Sequence, residues 1–372
     1  MASSVPTNDP ALAKYASLLE QAKSVQGVSL GQNAWRQLRR NRTAMAALVY
    51  LNVLVLLAVL TPFWPLQSPY RVNSTRTLAR PAPIELVTRG IDVLDSQGQV
   101  IEDRVKAEFE DLNWFDRTLL NARVSLWGEQ CLSSICGTDE LGRDVLARLF
   151  WGARVSLTAG LVATLVSLMI GVSYGAVAGY LGGTADDLMM RIVDVIYSLP
   201  LIFVVIFLIT FLDEPQVRSR LETFGINRMT IFFLVVGAVY WLTMARVVRG
   251  QVISLKHEQF IEAARTIGAG RRRIIFKHLV PNLLSVIIVY LTLTIPQVML
   301  FEAFLSFVGL GVQAPDVSWG LLANQGFRVI TPVRTFWWLI LYPGLALGMT
   351  LFSLNFLGDG LRDALDPRLK NR

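Results

Sequence analysis

Apolar residues in this chain come in long unbroken runs, not in the alternating or one-face patterns of a soluble domain. Runs long enough to cross about 30 Å of hydrocarbon lie at roughly 44–64, 155–181, 190–212, 229–249, 281–303 and 335–357. They predict an all-α polytopic membrane protein with six transmembrane helices. The chain then divides into a tail with an interfacial helix (1–43), transmembrane helix 1 (44–64), an extended external segment between helices 1 and 2 (65–154), a transmembrane core (155–357) with an inner loop at 250–280, and a tail (358–372).

Composition supports this reading. The 372 residues are 53% hydrophobic and 17% charged, where a soluble domain carries about a quarter charged residues. The start of the chain lacks the short basic-then-apolar pattern of a secretory signal. The first run follows "WRQLRRNRTA" and ends at "TPFWP" without a small-residue cleavage site, as an uncleaved signal anchor would. Arg36, Arg39, Arg40 and Arg42 crowd its entry and place the N-terminus in the cytoplasm. Six crossings return the C-terminus there, beside Arg362, Arg368, Lys370 and Arg372. The stretches 65–154, 213–228 and 304–334 then fall outside. The net charge of +7 is topogenic; no basic and aromatic residues interleave as on a nucleic-acid surface.

A few residues within and beside the runs stand out. Asp194, near the inner end of the third run, reads as a structural acid that meets water or a helix partner, because no second acid in register makes a proton relay. Pro200 and Pro296 each remove a backbone donor and predict kinks. Gly171, Gly175 and Gly179 recur every four residues and make a face that another helix can approach closely; packing and pore lining both remain open. Cys131 and Cys136 are the two cysteines of the chain. They either close a short disulfide loop in an oxidising exterior or stay free as small apolar side chains.

The inner stretch "EAARTIGAGRRRIIFKHLVPN" (262–282) is a charged island between greasy runs. Ile253, Phe260, Ile261, Ala264 and Ile267 gather on one helical face, with Glu262 and Thr266 opposite. Gly268 and Gly270 end that helix, Arg271, Arg272 and Arg273 follow, and Pro281 opens the next span. A plain connection between helices needs about two to eight residues, so a loop of this length points to a docking partner. The chain carries no G-x-x-x-x-G-K-[ST] phosphate loop and no G-x-S-x-G elbow. Its two histidines, His257 and His278, both lie in this loop and exclude a multi-histidine metal site. A nucleotide-hydrolysing or intramembrane enzyme is disfavoured.

The island resembles a known pattern. Glu262-Ala263-Ala264, three residues, Gly268, nine residues and then "HLVP" is similar to the E-A-A-x3-G-x9-I-x-L-P signature of permease subunits of bacterial ATP-binding-cassette importers; His278 replaces its Ile and Val280 its Leu. "GTDELGRDVLARLFWGARVSL" (137–157) and "FEAFLSFVGLGVQAPDVSWG" (301–320) resemble the dipeptide/oligopeptide/nickel branch, specifically its C-type subunit, as does the entry "LRRNRTAMAAL". The likeness runs from about Gln32 to the C-terminus and weakens over 66–135.

The resemblance implies type I importer permease architecture in the bacterial inner membrane and a heterodimer with a second permease subunit. It also implies two ATPase subunits that bind ATP and Mg, an external solute-binding protein, and no cofactor in this chain. Phe260, Ile261, Glu262, Ala263, Ala264, Gly268, Arg271 and Pro281 become the expected ATPase-coupling residues. The apolar ones can fill a groove in the ATPase or pack on the membrane domain. Asp139, Arg143, Asp144 and Trp319 are candidates to contact the binding protein, or else build local caps and turns. The expected cargo is a peptide, with nickel complexes or another small solute as the alternative. An ATP-independent secondary transporter or channel is a reading of a different class, and a scaffold protein that recruits a partner without transport is another.

Overall fold

Asn41 shows how the first membrane helix starts. Its side chain accepts a hydrogen bond from the Ala44 N–H at 3.1 Å and caps the helix. The computed structural model describes residues 30–88, 109, 112–128, 130–226 and 228–365. The polar tail 1–29, the basic residues Arg368, Lys370 and Arg372, and much of the extra external sequence (89–108) lie outside the described residues.

Helix α1 (Leu30–Arg40) is amphipathic and leads into α2 (Arg42–Val59). Beyond it an external layer holds a two-stranded antiparallel pair, β1 (Leu86–Thr88) and β2 (Gln130–Leu132), and helix α3 (Trp114–Trp127). The core follows as α4 (Val145–Leu181), α5 (Gly183–Ser198), α6 (Leu201–Leu212), α7 (Pro215–Thr223) and α8 (Arg228–Leu255). Helix α9 (Gln259–Thr266) forms the inner loop, and α10 (Arg271–Arg273), a π-helical segment (Ile274–Leu279) and α11 (Val280–Asn282) lead on from it. Helices α12 (Leu284–Val308), α13 (Trp319–Arg328) and α14 (Trp338–Leu365) complete the chain.

Among the described residues five helices, α2, α4, α8, α12 and α14, are long and apolar enough to cross a membrane, and the pair α5/α6 makes a sixth span only if counted together. Here the structure departs from the kinked helix expected at 190–212. The pair is bent by 85° at the break. Leu199 is extended, with φ −79 and ψ 139, because the ring of Pro200 disfavours the helical region for the residue before it. At 12 residues α6 is about 18 Å long, too short to span alone.

The other departure is α4. It begins at Val145 rather than 155, so the external segment ends at Asp144. Its 37 residues reach about 55 Å, well beyond about 30 Å of hydrocarbon. The surplus turns bind the external layer. Asp116 of α3 receives two bonds from the Arg154 guanidinium, at 2.8 and 2.9 Å. Phe109, Leu120 and Trp151 pack together beside them. Arg123 of α3 is buried and donates to the Leu66 carbonyl at 2.5 Å.

Helix α4 packs along α8 through its small residues. A Cβ at Gly175 would lie 2.2 Å from the Ala245 carbonyl oxygen, and one at Gly171 would lie 2.7 Å from the Met244 Cβ. Gly179 meets Arg249 and Val252 in the same way. Packing therefore accounts for this glycine face. Pro296 stays inside α12. Ion pairs fasten α5 to α8: Asp186 takes Arg249 at 2.6 and 2.7 Å, and Asp194 takes Arg246 at 2.8 Å. Asp194 thus has the helix partner expected of a structural acid.

Candidate coupling surface

The inner loop is held from beneath. Ile261 and Ala264 of α9 are buried. Ile261 joins a cluster with Val172 and Ala176 of α4, Val252 of α8, and Ile274, Ile275 and Leu279 of the π-helical segment. Lys256 donates to the Gly179 carbonyl at 3.1 Å, and the Arg265 guanidinium lies 5.4 Å from the Tyr180 ring centre. Both contacts tie the loop to the inner end of α4.

A Schellman arrangement stops α9. Gly268 has φ +81 and donates to Arg265, while Ala269 donates to Ala264 at 3.0 Å. Glycine takes this left-handed conformation without a Cβ penalty, as the sequence leads one to expect. The wide π turn then carries the chain to α12; its register shift suits Pro281, which has no N–H to offer a regular α turn.

The single apolar face expected over 253–268 is split. Ile253 lies near the end of α8, half-buried, because the chain turns at 256–258 before α9 begins; on α9, Ile261 and Ala264 face the membrane core. Phe260 is 41% exposed and Ile267 85% exposed. Glu262, Ala263, Arg271, Arg272, Arg273 and Pro281 are exposed too, as is Phe276 at 51%. Packing on the membrane domain thus holds for Ile261 and Ala264, while Phe260 and Ile267 stay exposed. Phe276 is a further exposed apolar side chain of the loop, and its only signal in the sequence is an aromatic beside a basic run.

The external candidates behave differently. Asp139, Asp144 and Trp319 are buried, and the Arg143 side chain is 11% exposed. Asp139 accepts from the Leu141 and Arg143 amides, both at 2.9 Å, and pairs with the Arg143 and Arg148 guanidinium groups. Arg148 also reaches Gln325 of α13 at 2.7 Å. Asp144 caps α4 by accepting from Ala147 at 2.7 Å. The Trp319 indole donates to the Leu149 carbonyl at 2.9 Å. These side chains build local caps and turns: the turn 137–144 folds its charges inward to hold the start of α4.

Cys131 and Cys136 are buried and are not joined in a disulfide. Cys131 sits on β2 opposite Val87, and Cys136 packs with Val145, Trp338 and Leu339. Burial pushes the two thiols up to about 11 and about 12, well away from the reactive thiolate.

Among acids in the spans, sequence reasoning weighs Asp194 alone. It passes over Asp186, which precedes the expected third run, and Glu302, which lies inside the expected fifth run and is fully buried. An acid in an apolar run is the available signal for Glu302.

A multi-pass helical bundle with a rooted, charged inner loop is the form of a membrane transport subunit. Comparison with known proteins specifies it further. Residues 171–371 match the family model for the binding-protein-dependent transport system inner membrane component, and residues 29–81 match that for the N-terminal TM domain of oligopeptide transport permease C. The chain is 38% identical over 352 residues to the dipeptide transport system permease protein DppC of Bacillus subtilis, covering 94% of this chain and 90% of the relative. It is 38% identical over 363 residues to the oligopeptide transport system permease protein OppC of Escherichia coli K12, covering 97% of each. A chain of the MetNI methionine ABC transporter aligns with a TM-score of 0.44 at 20% identity, covering 59% of this chain and 96% of that one. The chain belongs to the binding-protein-dependent inner membrane permease family.

Proposed function

We propose that this chain is a permease subunit of an ATP-binding-cassette importer and moves peptides handed over by an external solute-binding protein. It pairs with a second permease subunit, and two ATPase subunits that bind ATP and Mg dock on the inner loop. Both termini face the cytoplasm of a bacterial cell. The observation that carries the coupling role is the division of α9: Ile261 and Ala264 root it in the core, while Phe260, Ile267 and Phe276 are displayed among exposed arginines. A helix rooted on one side and apolar on the other can pass a push from a docked protein into α4 and α8.

The relatives at 38% identity are named as dipeptide and oligopeptide permeases, which favours peptides over nickel complexes. The test is purification of the tagged chain in mild detergent, then reconstitution with the binding protein. A second permease and P-loop ATPases are expected to co-purify. Peptide-loaded binding protein should stimulate ATP hydrolysis, and uptake should require ATP. A lone oligomer that transports without ATP would overturn the proposal, and stimulation by nickel complexes alone would overturn the cargo.

A further inference from the structure

Glu302 lies on α12, and its side chain has no exposure to solvent. No cation lies within ion-pair distance of it among the described residues. Two serine hydroxyls donate to the carboxyl group instead. Ser306, one turn on, donates to Oε1 at 2.8 Å. Ser156 of α4 donates to Oε2 at 3.3 Å.

Each of these hydroxyls also accepts from a backbone amide. Ser306 Oγ accepts from Val312 at 3.0 Å and Ser156 Oγ from Trp319 at 3.2 Å. A hydroxyl whose oxygen is engaged by an N–H has its hydrogen left to give away. Two amides therefore orient two hydroxyls onto one carboxyl group; the hydroxyls belong to α4 and α12, and the amides to the hairpin formed by the 309–318 turn with α13.

That hairpin is seated closely. A Cβ at Gly311 would lie 2.2 Å from the Ser306 hydroxyl, and one at Gly320 would lie 2.5 Å from the Ala303 Cα. Asn324 of α13 bonds the Phe307 carbonyl. A polar hub in so dry a place is costly to break by halves, because any group left without its partner bears the full desolvation cost.

We propose that Glu302 is a positioning residue for transport: it locks the hairpin 309–328 to α4 and α12, so that this end of the subunit moves as one rigid body when the inner loop is driven. The proposal rests on the importer reading above. An apolar serine-free contact would hold the hairpin through shape alone; the hub adds a directional lock that lets it neither slide nor rotate.

The experiment uses the reconstituted complex with spin labels introduced through non-canonical amino acids at Leu161 of α4 and Phe327 of α13, both exposed. In the unmutated hub the distance between labels should be narrow and the same in nucleotide-free and ATP-trapped complexes. E302Q brings one oxygen and one NH2 to a site built from donors, so at least one hydroxyl must turn away. It is expected to lower peptide uptake at least tenfold, broaden the label distance and leave ATP hydrolysis running. S156A removes one donor together with the acceptor of the Trp319 amide and should do the same to a smaller degree. Uptake within twofold of the parent for both variants would overturn the proposal, as would a label distance that changes between the two states of the parent. If neither variant assembles, Glu302 is a folding residue and the proposal falls. Absence of ATP-dependent uptake by the parent complex would instead count against the importer reading.

Discussion

Two charged, glycine-containing stretches of this chain look alike on paper and do opposite things with their charge. In the external turn 137–144, Asp139 is enclosed by the Arg143 and Arg148 guanidinium groups, and Asp144 caps a helix in the protein interior. In the inner loop 259–273, Glu262 and the three arginines face outward. Enclosed charges build the subunit, while displayed charges wait for something to meet them. Motif resemblance marks both stretches equally, and only burial separates architecture from interface.

The sharpest way to break this contrast is Asp139→Ala. It leaves the Arg148 guanidinium buried without its anion, and breaking one side of a buried pair costs about 3–5 kcal/mol. The expected result is a large fall in the unfolding midpoint, followed by tryptophan fluorescence in detergent, with little protein reaching the membrane. A midpoint equal to that of the parent would mean that the external turn is as dispensable to the fold as a surface loop.

The inner loop should respond in the opposite sense. Phe260→Asp combined with Ile267→Asp changes exposed positions, where substitutions usually stay within about 0.5 kcal/mol of neutral. The unfolding midpoint should hold while recovery of ATPase subunits on the tagged chain drops at least tenfold. Ile261→Asp, on the same helix but buried against Val252 and Ile274, should behave like the external substitution instead. If all three positions lower stability alike, the division of the loop is wrong.

That division shows how far the sequence can be read. Long apolar runs announce the membrane helices, because about 20 such residues in a row suit a bilayer span and little else. Pro200 announces a disturbance, but a proline within a run fits a kink or a break equally well. The overrun of α4 is hidden because Arg148 and Arg154 interrupt its apolar run. Their partners, Asp139 and Asp116, lie elsewhere in the chain. Helical periodicity puts Phe260 and Ile261 on one broad face, yet only the position of α4 and α8 decides which of them is covered. Glu302 is visible as an acid in an apolar run, while its meaning depends on Ser156 and on the amides of Val312 and Trp319, all distant in the chain or beyond the run.

A smaller effect separates two glycines with the same backbone conformation. Gly142 has φ +74 and Gly268 φ +81. A Cβ at Gly142 would lie 1.9 Å from the Asn73 carbonyl oxygen, whereas one at Gly268 meets nothing within 4 Å. Gly268→Ala should therefore cost only the left-handed strain, about 1–2 kcal/mol, and keep measurable peptide uptake. Gly142→Ala must displace the neighbouring backbone and should lose stability as Asp139→Ala does. Equal thermal shifts for the two variants would show that the inner turn is packed as tightly as the external one.

The finest distinction is in pH. Burial raises the Asp144 carboxyl from its ordinary 3.8 to about 7, against the pull of the Ala147 amide. The folded state thus holds a proton that the unfolded chain has already released. Stability from this group is complete below 3.8 and is lost as pH rises through about 7. Asp144→Asn keeps an oxygen that can cap α4 and removes the titration. The unfolding midpoint of the parent should fall between about pH 5 and pH 8 more steeply than that of Asp144→Asn, with little difference between them at the acid end. A parent and an Asn variant with equal slopes would mean that water reaches Asp144, and the external turn would then resemble the inner loop more than its buried carboxylates suggest.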